Sequence, residues 1–173
     1  MATNKYLALV SGKVKEVFAS LTGTANAIPA GDSTGRLDPS WLPVGVGQEL
    51  IIVPSSENLT AGSFVNLYSN AGVLNARNSD ATTNAKPAHG FVTANVTSPA
   101  NASVFFLGIT NSAALGLVIG TKYVISKTVP GGVTDIAVFS AAQATGNIVQ
   151  EVGIASKITE ILTTPNVNYI EVA

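Results

Sequence analysis

Residues 48–77, QELIIVPSSENLTAGSFVNLYSNAGVLNAR, decide the fold class. Glu49-Leu50-Ile51-Ile52-Val53 is a short apolar run closed by Pro54-Ser55-Ser56, too short for a helix of ordinary length. From Ser63 to Tyr68 the side chains alternate, with Phe64, Asn66 and Tyr68 in one register and Val65 and Leu67 in the other, the period of a half-buried strand. Asn70-Ala71-Gly72 then supplies a hairpin turn into a strand at Val73 to Arg77.

The same texture continues to the C-terminus. Beyond a polar loop from Asn78 to Asn84, strands are expected at Ala88 to Val96 and Ser103 to Thr110, joined through Ser98-Pro99-Ala100-Asn101 as a hairpin. Ala113 to Val118 is expected to make one helical turn before Gly120. Lys122 to Lys127, the turn Pro130-Gly131-Gly132 and a return strand from Val133 to Ile136 come next, then a loop from Phe139 to Thr145. Asn147 to Ser156, Lys157 to Leu162 and Asn168 to Val172 complete the pattern. About eight to ten short strands with no long helical period predict an all-β fold, an antiparallel β-barrel or β-sandwich module over residues 48–173. No fixed-period repeat argues for a solenoid or propeller.

Upstream the texture changes. Residues 30–47, AGDSTGRLDPSWLPVGVG, carry Pro39 and Pro43, which fix their own φ and push Asp38 and Leu42 toward extended geometry. A stiff, extended, Pro-rich connector is therefore expected there. It sets apart an N-terminal arm, residues 1–29, in which Tyr6 to Val10 is apolar and Ser11-Gly12 is a turn pair. Val14, Val17, Phe18 and Leu21 fall at helical spacing, but Val and Phe there favour strands, so the arm reads as a β-hairpin or an extended segment. With Tyr6 and Phe18 as its aromatic anchors, it buries too little surface alone to offset its ordering entropy. It is expected to become ordered against a partner.

The connector D-S-T-G-R-L-D-P-S followed by Trp-Leu-Pro-Val-Gly-Val-Gly is similar to the linker of many tailed-bacteriophage virion proteins. The opening Lys5-Tyr6-Leu7-Ala8-Leu9-Val10 with Gly12-Lys13-Val14 looks like their start. Gly120-Thr121-Lys122-Tyr123-Val124-Ile125-Ser126, Gly131-Gly132-Val133-Thr134 and residues 146–155, GNIVQEVGIA, resemble a β module of phage head-decoration and tail-fibre proteins. The resemblance implies a virion structural protein of the capsid decoration (cement) or head-fibre type. Its expected partner is the major capsid protein on the outer surface of the capsid, with a homo-oligomer, a trimer, as the working unit. The alternative is a tail-fibre or baseplate component for host-surface recognition. A free-standing carbohydrate-binding module would need an exposed aromatic platform, and the aromatic residues are dispersed.

Composition narrows the function classes. Only 11% of residues are charged while 46% are apolar, which points to surface hidden in an oligomer or docking contact; Ala, Ser, Thr and Asn covering the surface is the competing explanation. Net charge is −1 with the nine basic residues spread singly, so no nucleic-acid partner is expected. The chain has no cysteine, which excludes disulfide and thiol chemistry. The N-terminal apolar run is too short for a signal-peptide core and no stretch has the length of a membrane span, so no membrane partner is expected.

Candidates for chemistry are few. His89 is the only histidine, and an acid/base or metal role would need carboxylate partners, so a packing or hydrogen-bonding role is expected. Asn78, Asp80 and Asn84 share one loop, but without the spacing or closing glutamate of a calcium loop. Asp32 and Asp38 flank Arg36, where turn chemistry explains them better than a general acid/base pair. Gly45-Val46-Gly47 lacks a third glycine and a following helix, and no nucleophile elbow or P-loop is present. No enzyme activity, cofactor or metal is expected. The candidate interface residues are Tyr6, Leu7, Leu9, Phe18, Arg36, Leu37, Trp41 and Leu42. Trp41, between two prolines, either packs over the edge of the β module or plugs a pocket on a neighbouring subunit.

Overall fold

The computed structural model describes residues 5–25, 27–33, 35–42, 49–139, 143–165 and 167–173. The chain is all-β and divides into two compact units, Met1–Gln48 and Glu49–Ala173.

In the first unit, β1 (Lys5–Val10) and β2 (Lys13–Ser20) form an antiparallel hairpin, with β3 (Ile28–Pro29) beside β2 in parallel. Ser11 and Gly12 both have positive φ, 52° and 74°, the two-residue turn whose twist matches that of the strands it joins. The helical spacing of Val14, Val17, Phe18 and Leu21 is overruled by cross-strand pairing. Where an extended connector was expected, the chain turns twice. Asp32 Oδ1 accepts the Arg36 N–H at 3.0 Å, and the Asp32 N–H donates to the Arg36 carbonyl at 2.8 Å, closing one loop. Asp38 then caps a single 3-10 turn at Pro39–Trp41, its Oδ1 accepting from the Ser40 N–H at 2.9 Å. Asp-Pro is thus a turn start, because the carboxylate satisfies an amide that the turn leaves open. This turn packs back on the 22–25 loop, the Gly23 N–H donating to Ser40 Oγ at 2.6 Å. The connector residues 43–47 lie outside the described residues.

The second unit holds two five-stranded sheets. The first comprises β4 (Leu50–Pro54), β5 (Phe64–Asn70), β6 (Val73–Asn78), β7 (Gly90–Phe91) and β8 (Asn101–Phe106), in the order β4-β8-β7-β5-β6. All its pairings are antiparallel. The second comprises β9 (Thr110–Asn111), β10 (Lys122–Ile125), β11 (Val133–Asp135), β13 (Glu151–Lys157) and β14 (Glu160–Thr163), in the order β11-β10-β13-β14-β9. One helical turn, α1 (Ile136–Phe139), follows β11, and β12 (Ile148–Val149) pairs with β15 (Ile170–Glu171).

Alternation sends neighbouring side chains of the first sheet into two different cores. Val53, Val65, Ala76, Val92, Ala102 and Val104 fill one, and Phe64 and Phe91 enter the other with Tyr123, Ile125, Val152 and Ile161 of the second sheet. The sheet curls around the first core until β4 and β6 meet at one bridge, Ser55 with Ala76, where the Ser56 N–H donates to the Ala76 carbonyl at 2.9 Å. No sheet among the described residues is closed into a barrel. Phe91 packs against its cross-strand partners in the first sheet, its ring 6.2 Å from Phe64 and 5.7 Å from Phe105, each pair contributing roughly 0.5–1.5 kcal/mol beyond its buried area.

Three expectations are corrected. Only Gly90–Phe91 of the expected strand 88–96 is strand; farther on the chain bends to pair Val96 with Leu59. Residues 113–118 make no helical turn, because their amides are taken from elsewhere: the Leu117 N–H by the Ile158 carbonyl and the Val118 N–H by Tyr123 Oη at 2.9 Å. Conversely α1 lies at the end of the expected strand 133–136, started by Asp135, whose Oδ1 accepts the Ala137 N–H at 2.8 Å.

Candidate interaction surface

The β1–β2 hairpin exposes Tyr6, Leu7, Leu9 and Val14. Strand alternation puts Leu7 and Leu9 on one face and Tyr6 on the other, and the register sets Leu9 opposite Val14 and Leu7 opposite Glu16. Leu7 and Leu9 are each 74% exposed and Val14 is 68% exposed, while Tyr6 is exposed on the opposite face beside Val17. Val14 was not among the sequence candidates, and its place opposite Leu9 follows only once the Ser11-Gly12 turn fixes the register. Phe18 lies opposite Lys5 on β2, and its side chain is outside the described residues.

The remaining candidates sit on the two turns. Arg36 and Leu37 are exposed just after the Asp32 loop, and Leu42 is exposed after the 3-10 turn. Trp41 is half-buried, and its Nε1–H is shielded from solvent without an acceptor among the described residues. Asp38 has its carboxyl pKa held below the usual range by the Ser40 hydroxyl and then by the Ser40 amide. Both aspartates around Arg36 are engaged in turn geometry, Asp32 with the Arg36 N–H and Asp38 with the Ser40 N–H.

The second unit presents apolar surface of its own. The loop between β9 and β10 exposes Leu115, Val118 and Ile119, close to exposed Ile158, whose carbonyl accepts from Leu117. Beside it a cavity of about 250 Å³ is lined by Gly62, Phe64, Leu115, Val129 and Gly131. A second hollow of about 280 Å³ has Tyr169, Ile136, Val149 and Ile170 as apolar walls, with Glu151 and Asn168 as its polar members. Glu151 is paired there with Lys122 at 3.3 Å. None of these residues is among the interface candidates of the sequence; Leu117-Val118-Ile119 between glycines was the available signal.

His89 is built into the scaffold. Its Nδ1 accepts the Leu67 N–H at 3.0 Å, which requires a neutral ring with the proton on Nε2. Next to it Asn66 donates to the Pro87 carbonyl at 2.8 Å and accepts from Arg77 Nε at 2.9 Å. Arg77 lies 4.0 Å over the Tyr68 ring and donates to the Ala85 carbonyl at 2.7 Å. Burial lowers the His89 pKa, in keeping with a ring that accepts from the backbone.

The three oxygen-bearing residues of the 78–84 loop diverge. Asn78 donates to Glu57 Oε2 at 3.0 Å, Asp80 accepts from the Thr82 amide and hydroxyl, and Asn84 donates to Glu171 Oε2 at 3.0 Å. Among the described residues no group of three or more His, Asp or Glu side chains is placed to hold a metal ion. Among the same residues no helix is long and apolar enough to cross a membrane.

No protein-family model, curated protein or solved structure matches this chain.

Proposed function

We propose that the protein is a non-enzymatic capsid decoration protein of a tailed bacteriophage, which binds major capsid protein on the outside of the shell and stabilises it. The observation that carries this reading is the hairpin. Three large aliphatic side chains, Leu7, Leu9 and Val14, stand more than two-thirds exposed on one face of a unit compact in its own right. Water-exposed aliphatic area of this kind is unfavourable until another surface covers it.

Attachment would act by mass action: a protein that binds the assembled shell and not its dissociated subunits stabilises the shell by its binding free energy. Several hairpins on one oligomer would raise the effective concentration of the rest once the first is seated. The test is occupancy of expanded shells by the full chain and by the variant Leu7→Asp/Leu9→Asp/Val14→Asp. Loss of binding, with thermal unfolding of the second unit unchanged, is expected; unchanged occupancy overturns the reading.

A second reading is a tail-fibre or baseplate component that recognises a host-surface glycan, favoured by the hollow that sets the Tyr169 ring near Glu151 and Asn168. Copy number separates the two. Hundreds of chains per particle fit the head, and a handful fit the tail.

A further inference from the structure

We infer that the outer edge of β1, which pairs with no strand among the described residues, is a pairing strand, and that its occupant is β1 of a second copy, aligned antiparallel. This goes beyond the decoration reading, since it concerns contact between copies and can be tested without a shell.

The geometry starts at the turn. In a two-residue hairpin the residues flanking the turn, Val10 and Lys13, exchange hydrogen bonds, so alternate pairs from there do the same. Val10, Ala8 and Tyr6 therefore spend their backbone groups on β2, and Leu7 and Leu9 aim theirs away from it. Neither outer N–H nor outer C=O of Leu7 or Leu9 has a partner among the described residues.

The other sheet edges are shorter or engaged: on β6 the Ala76 carbonyl accepts from the Ser56 N–H at 2.9 Å and the Asn78 N–H donates to Glu57 Oε2 at 3.1 Å. β3 is two residues long and ends in Pro29, β9 and β15 are also two residues long, and β11 has three and ends in Asp135. β4 carries Pro54, and its far end is engaged with β6 through the Ser55–Ala76 bridge. β1 by contrast runs for six residues, Lys-Tyr-Leu-Ala-Leu-Val, with no proline, no bulge and no charge after Lys5. Soluble proteins rarely leave such an edge open, because it is a template for another strand.

The pairing we infer is centred on Leu7. An antiparallel alignment that keeps the same face uppermost in both copies sets Leu7 opposite Leu7 of the second copy, Tyr6 opposite Ala8 and Leu9 opposite Lys5. No like charges face each other across the seam. The joined sheet would run β3-β2-β1-β1-β2-β3 and merge the two Leu7–Leu9–Val14 faces into one apolar surface.

The native chain has no cysteine, so single thiols report the contact directly. Leu7→Cys puts the thiols on residues facing each other at a Cα separation of about 5.5 Å, within disulfide range. Val14→Cys, on the same face but one strand farther in, is the control. Under mild oxidant the full-length Leu7→Cys chain is expected to form a species of twice the chain mass about tenfold faster than Val14→Cys. Adding Leu9→Pro to Leu7→Cys removes an outward N–H that β2 does not use, and should abolish the cross-link. Equal rates for the two single variants, or a cross-link untouched by Leu9→Pro, overturn the inference. Should Leu9→Pro disturb the hairpin, the comparison of single variants still decides. A failure here with shell binding still lost in the aspartate variant would leave the decoration reading standing.

Discussion

The Gln150 side chain and the Ala88 backbone form a closed two-bond ring: Gln150 Nε2 donates to the Ala88 carbonyl at 2.8 Å and the Ala88 N–H donates to Gln150 Oε1 at 2.7 Å. Both residues are fully buried. A side-chain amide thus imitates one rung of a β-ladder and satisfies a strap between β6 and β7 that has no strand neighbour there. Gln150→Leu would leave both Ala88 groups unpaired in the core. Its expected cost is about 2–4 kcal/mol, read by chemical denaturation, and Gln150→Glu should do no better because it loses the donor and buries a carboxylate.

Ala71 sits at φ 51° in the turn between β5 and β6, with Gly72 at φ 85°. Alanine is an unfavourable residue at the first position of this turn, where asparagine is preferred. Ala71→Asn should raise stability by roughly 0.5–1 kcal/mol, seen as a higher midpoint of unfolding.

Gly153 has φ 150°, and a Cβ there would lie 2.1 Å from the Leu162 carbonyl oxygen in the paired strand. Gly153→Ala must push β13 and β14 apart, so a loss of about 2 kcal/mol or more is expected in the same denaturation assay.

His89 gives the stability a pH dependence whose sign is fixed by its depressed pKa. Starting from the ordinary value of 6.5, burial lowers the folded-state value, so the unfolded chain takes up the proton first as pH falls. The contribution is complete above about pH 6.5 and is lost as pH drops from there through the lower folded value. Melting temperatures at pH 7.5 and 5.5 should differ more for the native chain than for His89→Gln, whose side-chain carbonyl still accepts the Leu67 N–H. Asp38 and Glu160, the latter lowered first by Lys157 and then by Ser156, act in the same direction but in the acid range of carboxylates.

Much of the fold was legible because alternation is a local signal. Phe64 to Tyr68 announced a strand and Asn70-Ala71-Gly72 the hairpin turn that pairs β5 with β6, whereas Ser11-Gly12 marked a turn without deciding between a hairpin and an extended arm. The apolar run at 49–53 read as a strand, which it is, but Leu50 and Ile52 are exposed because β4 lies at an edge, and an edge is a property of topology. The 113–118 segment was misjudged because Ile158 and Tyr123, remote in sequence, claim its amides. Of the interface candidates, Leu7 and Leu9 come from the apolar run Tyr6 to Val10, and the structure leaves both exposed. Val14 was missed because its partner was unknown, and the Leu115–Ile119 surface because apolar residues in a loop look like core until the neighbours are placed.

The junction of Ser55 with Ala76 is a seam one bridge long, which pins one end of β4 to β6 and leaves the rest of the edge open. Under mechanical load or gentle denaturation, that seam is the place from which β4 would peel. Deuterium should reach the outward amides of Leu50 and Ile52 long before those of Val65 and Val104, so that the module unrolls from one side like a scroll.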